Sequence, residues 1–366
     1  MKHKQTTFGL LAVSLLASVA TAAADVPAGY PADYSEIVKA AEAEGKVVVY
    51  APLDSNAYAP LVADFKTLYP GIEVEFNNLQ TTALYNRFIS EVAAGSGSAD
   101  VVWSSAMDLQ LKLANDGYAQ AYESPETKNL PSWAVWDSKA YGITFEPIVF
   151  VYNKDSLTPD DLPKGHADVV EVLRKNKDKF QGQVIAYDIE KSGIGFLGIA
   201  QDSKLMPDFW ELPKALGAAG AQFPSGGAAM IDSVASGENV FGYDQLGSYA
   251  RVADQNPSLG VIYPDDYILT MSRVAFLSKT AQNPNAGKLW LDYLLSARGQ
   301  EILANQSELS SIRSDVSGEY TAAALDKKYG ALIHPIPVDP SILEFLAPEK
   351  RLEFLNKWKT AVREAR

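Results

Sequence analysis

Residues 241–276 read F-G-Y-D-Q-L-G-S-Y-A-R-V-A-D-Q-N-P-S-L-G-V-I-Y-P-D-D-Y-I-L-T-M-S-R-V-A-F. A strand ends near Tyr243, and a short helix runs from Gly247–Ser248 to Ala253. A strand at Val261–Tyr263, a charged Pro-Asp-Asp turn and a strand at Thr270–Leu277 follow. Polar groups thus gather at strand ends and at a helix start, where open α/β sheets bind small ligands. Arg273 stands in the last strand beside Val274, Ala275 and Phe276. A guanidinium in apolar surroundings needs a partner, because an unpaired buried charge is costly. Two partners remain open: an anionic ligand in a cleft, or a carboxylate of the chain itself. Under the first, Arg273→Ala weakens ligand binding by about tenfold or more and leaves the fold intact. The same strand then returns the chain from one lobe to another.

Working outward, the first 24 residues read as a secretory signal. Lys2, His3 and Lys4 are basic, Phe8 to Leu16 is apolar, and Ala22-Ala23-Ala24 offers a cleavage site. The apolar run is too short for a membrane span. Removal leaves about 340 residues, which at roughly 150 per domain suggests two domains. The formal charge of −13 becomes more negative once Lys2 and Lys4 leave, so nucleic acid and anionic membrane surfaces are poor partners. There are no cysteines, which excludes disulfides, thiol catalysis and thiolate metal sites. Only His166 and His334 remain after cleavage, leaving little for a zinc-hydrolase motif or a histidine-based nucleophile triad.

The rest alternates strands and helices. Lys46–Ala51 (K-V-V-V-Y-A) is a strand buried on both faces, as in a parallel sheet. Strands at Ile72–Asn77 and Ala99–Trp103 follow, with helices at 57–68 and 82–94 between them. Polar, cap-capable loops sit at the strand ends: Ser55-Asn56, Thr81-Thr82 and Ser104-Ser105. Thr144–Asn153 is a long strand with Pro147 inside it; proline belongs at an edge or a bend, so this strand crosses between lobes. A second α/β set includes Ser192-Gly193-Ile194-Gly195, an anion nest opening a helix and no Walker loop. After Phe276 the chain turns helical. The expected fold class is α/β with two lobes, each an open sheet flanked by helices, and two crossing strands as hinge. Lobe one takes 25–145, lobe two 146–268, and 269–366 returns to lobe one with the C-terminal helices. Such a molecule closes on a small ligand between its lobes.

Several segments carry a resemblance: V-V-V-Y-A at 47–51, A-D-V-V-W-S-S at 99–105, F-E-P-I-V-F-V-Y-N at 145–153, G-Y-D-Q-L-G-S-Y-A at 242–250, S-R-V-A-F-L-S-K at 272–279 and A-G-K-L-W-L-D-Y-L-L-S-A-R-G-Q at 286–300. With them nearly all of the mature chain resembles a periplasmic solute-binding protein (type II) of an ABC importer. The branch includes ferric-iron binders and binders of phosphorylated or phosphonate solutes. The resemblance implies hinge closure over a ligand, delivery to a permease in the inner membrane, periplasmic localisation, no catalysis and no cofactor. Ferric members grip the metal with two adjacent tyrosines at a helix start in lobe two; here the matching place reads Gly247-Ser248-Tyr249, with Tyr243 six residues earlier. That departure favours a small organic anion over iron.

The candidate ligand-binding residues are Ser55, Asn56, Thr82, Ser104, Ser105, Glu146, Ser192, Gly193, Tyr243, Ser248, Tyr249 and Arg273, with helix capping as the alternative for the loop hydroxyls. Glu146 suits a ligand with hydroxyls or an ammonium group; its alternative is a salt bridge to Arg273. No metal is expected, the competing reading being ferric iron on Tyr243 and Tyr249. A monomer is expected. An exported phosphate-ester hydrolase and a co-receptor for a membrane sensor are the other functional readings.

Overall fold

The computed structural model describes residues 26–365; the segment read as a secretory signal lies outside them. The first lobe begins with α1 (Tyr34–Glu44), β1 (Lys46–Ala51), α2 (Ser55–Leu68), β2 (Glu73–Asn78), α3 (Thr81–Ala94), β3 (Val101–Ser104) and α4 (Met107–Asn115). An irregular stretch then leads to β4 (Val135–Trp136) and β5 (Ala140–Gly142). Ala57, Leu61 and Phe65 fall on one face of α2 at four-residue spacing and are buried, as its amphipathic pattern requires. β1 pairs in parallel with β2 on one side and β3 on the other, and Val47, Val49 and Ala51 are buried on one face with Tyr50 buried on the other.

The chain crosses at 143–145 into the second lobe. There it forms β6 (Glu146–Asn153), α5 (His166–Lys175), α6 (Lys177–Phe180), β7 (Val184–Ile185), α7 (Gly193–Leu205), α8 (Glu211–Ala218), α9 (Gly227–Ala235), β8 (Phe241–Leu246), α10 (Gly247–Ala250), β9 (Leu259–Ile262) and β10 (Ile268–Met271). It returns through Ser272–Arg273 to β11 (Val274–Leu277), α11 (Pro284–Leu295) and α12 (Ala297–Asn305), and ends with α13 (Ala322–Tyr329), β12 (Ile333–Pro335) and α14 (Pro348–Glu364). The first sheet has the order β2-β1-β3-β11-β5-β4. The second has β12-β10-β6-β8-β7, with β9 also paired to β6. Both are flanked by helices, as the alternation of the sequence implies.

Three expectations are corrected. The strand anticipated at Thr270–Leu277 is two strands in different sheets: β10 pairs with β6 in the second, β11 with β3 and β5 in the first. The break at Ser272–Arg273 is held by the other crossing. Arg273 N–H donates to Thr144 Oγ1 at 2.9 Å, and Ile143 N–H donates to Arg273 O at 2.9 Å. The strand containing Pro147, read as a crossing strand with proline at an edge or a bend, lies in the middle of its sheet, with β10 and β8 on its two sides. Proline is tolerated there as the second residue, beside the crossing, where Gly247 packs on its ring. Finally, the end of the chain does not stay with the first lobe. β12 joins the second sheet and α14 packs on α8, burying Phe354, Trp358 and Val362 in the second lobe's core.

Candidate functional site

A cavity of about 260 Å³ lies between the lobes. Pro52, Asp54, Asn78, Gln80, Thr81 and Ser105 line it from the first lobe; Tyr187, Ser192, Gly226, Gly227 and Tyr249 are among those that line it from the second. Several of these residues sit where the chain enters a helix. Gln80–Thr81 opens α3, Ser105 precedes α4, Ser192 caps α7 by accepting from Gly195 N–H at 3.2 Å, and Gly226 caps α9. Helix starts leave backbone N–H groups unpaired and carry partial positive charge, so four of them around one space favour an anion. The lobes also touch. Gly193 N–H donates to Thr81 Oγ1 at 3.2 Å, and Thr82 Oγ1 donates to Lys191 O at 3.0 Å.

Tyr187 forms part of the wall. Its side chain is buried and its hydroxyl has no hydrogen-bond partner among the described residues. Burial, then the Tyr249 ring nearby, pushes that phenol well above its ordinary pKa, so it stays a neutral donor. A Cβ on Gly227 would stand 2.4 Å from this hydroxyl and 3.1 Å from the Tyr249 ring. Only a residue without a side chain lets α9 begin directly over the two tyrosines. Gly227→Ala is therefore expected to displace Tyr187 and lower ligand affinity about tenfold, with the melting temperature close to wild type. Unchanged affinity by calorimetry would show that the α9 start is not part of the site.

Behind the cavity lies the hinge. Arg273 is 1% exposed and Glu146 is fully buried. Arg273 Nε donates to Glu146 Oε1 at 2.7 Å and Nη2 to Oε2 at 3.2 Å, while Nη1 donates to the Pro52 carbonyl at 3.2 Å. Thr144 Oγ1 and Ser248 Oγ also donate to Glu146. Burial works against the guanidinium charge, but the Glu146 carboxylate outweighs it and holds Arg273 more firmly protonated than usual. The guanidinium carbon lies 5.7 Å from the Tyr249 ring centroid. One bidentate pair thus joins both crossings, and its positive end stands behind the tyrosines of the cavity.

The expected residues divide accordingly. Ser105, Ser192 and Tyr249 line the cavity. Gly193 and Thr82 hold the lobes together at its rim. Asn56 and Ser248 border an adjoining space of about 190 Å³, where Asn56 donates to Glu308. Ser104 accepts from Ala106 N–H at the start of α4, and Ser55 is exposed in the first turn of α2. Glu146 and Arg273, expected against a ligand, are instead each other's partners, the alternative their charges left open. Tyr243 is enclosed in the second lobe's core, its hydroxyl donating to Asp202 at 2.6 Å, so it does not join Tyr249. Sequence reasoning missed Tyr187 and the Ser225–Ala229 turn. The available signals were separate: a tyrosine just past the short strand β7, and the small residues S-G-G-A-A where α9 begins.

The family described as bacterial extracellular solute-binding protein matches residues 60–327. The chain belongs to that family. It is also similar to the substrate binding protein of an ABC transporter from Agrobacterium tumefaciens, at 38% identity over 87% of this chain and 94% of that one, with a TM-score of 0.83. Two more distant structures share the fold. One is the periplasmic binding protein AfuA of Actinobacillus pleuropneumoniae with fructose-6-phosphate bound (18% identity, 87% and 99% covered, TM-score 0.70). The other is iron-bound HitA of Pseudomonas aeruginosa (18%, 86% and 99%, 0.68). The protein is the solute-binding component of an ABC import system, with a small-molecule ligand and a permease as partners.

Proposed function

We propose that the cleft captures a small hydroxylated organic anion, a phosphorylated or phosphonate compound, by hinge closure and hands it to the permease. The convergence of four helix starts from two lobes on one cavity, with the unpartnered Tyr187 hydroxyl in its wall, carries this reading. The hinge guanidinium adds positive potential, while Asp54, which accepts from Asn78, offers an acceptor for ligand hydroxyls. The sugar phosphate held by AfuA is a ligand of this chemistry. Ferric iron, the ligand of HitA, is less well served here: Tyr249 is in the cleft, but Tyr243 is tied to Asp202. The site captures and releases, making and breaking no bond. A single copy supplies both walls, in keeping with a monomer in the periplasm.

Calorimetry with fructose 6-phosphate, a small phosphonate, inorganic phosphate and Fe(III) citrate tests the reading. At least one of the organic anions is expected to bind. Tyr187→Phe is expected to weaken that binding about tenfold without loss of stability, because it removes a donor to a charged group and a buried hydroxyl that the protein leaves unpaired. A visible tyrosinate–iron band with no response to the organic anions would reverse the assignment.

A further inference from the structure

Outside the cleft, the second lobe buries a group of side chains that capture of an anion does not use. His166 opens α5, Asp202 lies in α7 and Asp244 in β8, and all three are buried. One nitrogen or oxygen from each lies within 4.8 Å of the others. His166 Nε2 is 3.7 Å from Asp202 Oδ1. On its other side, His166 Nδ1 meets Asp266 Oδ1 at 2.8 Å. That contact places the ring proton on Nδ1 and leaves the Nε2 lone pair facing the two aspartates, the arrangement by which a carboxylate orients a metal-binding histidine. Tyr267 stacks on the imidazole at 3.9 Å and donates to Asp202 Oδ1 at 2.9 Å, while Tyr243 donates to Asp202 Oδ2 at 2.6 Å.

Asp244 supplies an independent observation. It is 5% exposed, and among the described residues neither carboxylate oxygen has a donor partner. What it faces is Asp202, another carboxylate. Among the described residues no lysine or arginine forms an ion pair with Asp202, Asp244 or Asp266. Three acids thus face one imidazole in surroundings walled by Phe150, Tyr243 and Tyr267. A proton satisfies one facing pair of lone pairs; a cation in the middle satisfies all three.

We propose that His166, Asp202 and Asp244 hold a divalent first-row cation, Zn²⁺ or Mn²⁺ in character, inside the second lobe. One imidazole nitrogen and two carboxylate oxygens suit such ions. Ligand atoms about 2.1 Å from a common centre in tetrahedral geometry lie roughly 3.4 Å apart, so binding draws the group in by up to about 1.4 Å. The ion ties α5, α7 and β8 together and acts on stability.

The test is made on the whole protein, dialysed against EDTA and then given Zn²⁺ or Mn²⁺ alone. One equivalent retained by elemental mass spectrometry and a melting temperature raised by about 5 °C are expected. Both effects are expected to vanish in Asp244→Asn and in His166→Gln. The wild-type comparison stands even if a variant folds poorly. No retained metal and an unchanged melting temperature would overturn the proposal. In that case, a rise in stability of Asp244→Asn identifies a proton shared by the two aspartates. Metal retained equally by both variants would overturn it as well, by placing the ion elsewhere.

Discussion

Arg273→Ala is expected to lower the unfolding free energy by about 3–5 kcal/mol, a loss read by urea denaturation. The reason is what remains. Glu146 is fully buried, and without the guanidinium its charge is held, among the described residues, by the hydroxyls of Thr144 and Ser248. Removing one partner of a buried pair costs more than removing both. The double variant Arg273→Met, Glu146→Gln is therefore expected to regain most of the loss. Both crossings meet at this pair, so the single variant disturbs the hinge as well as the core. A loss below about 1 kcal/mol for Arg273→Ala would mean that the pair contributes no more than a surface ion pair.

Gly193→Val is expected to leave each lobe folded and to hold the two apart. A Cβ on Gly193 would stand 2.8 Å from Ala106 Cβ and 3.2 Å from Leu109 Cδ1, both on the opposite lobe. Overpacking of this kind costs about 1–3 kcal/mol. At 1.4 kcal/mol per tenfold, and with only the closed state penalised, apparent affinity falls roughly five- to hundredfold. Small-angle scattering should show a larger radius of gyration in the presence of ligand than for wild type. Unchanged affinity and an unchanged radius would show that capture does not require this contact.

Much of the architecture was legible because it is written in local pattern. The burial of Val47, Val49, Tyr50 and Ala51 in β1 and the one-face stripe of α2 follow from residue order alone. The return strand was not legible in the same way. In residues 268–277 the polar pair Ser272–Arg273 interrupts two apolar stretches, but local sequence does not say that the chain changes sheet there; that is decided by Thr144 and Ile143, more than a hundred residues away in the chain. Ser105, Ser192 and Tyr249 were visible as polar residues at strand ends and helix starts. Tyr187 was not, because a tyrosine closing a short strand looks like any core aromatic until α9 is laid across it. The charge of Arg273 announced that a partner was needed, but charge alone does not say whether the partner is a ligand or Glu146.

The last stretch of chain has a mechanical consequence. Residues 340–346 rest on α4 of the first lobe, and α14 then lies along α8 of the second. Val338 N–H also donates to the Trp133 carbonyl of the first lobe at 2.8 Å. The C-terminal arm is thus a strap buckled to both halves. Any gape of the mouth must slide or stretch it, so the tail acts as a check-rein that sets how wide the protein yawns between one cargo and the next.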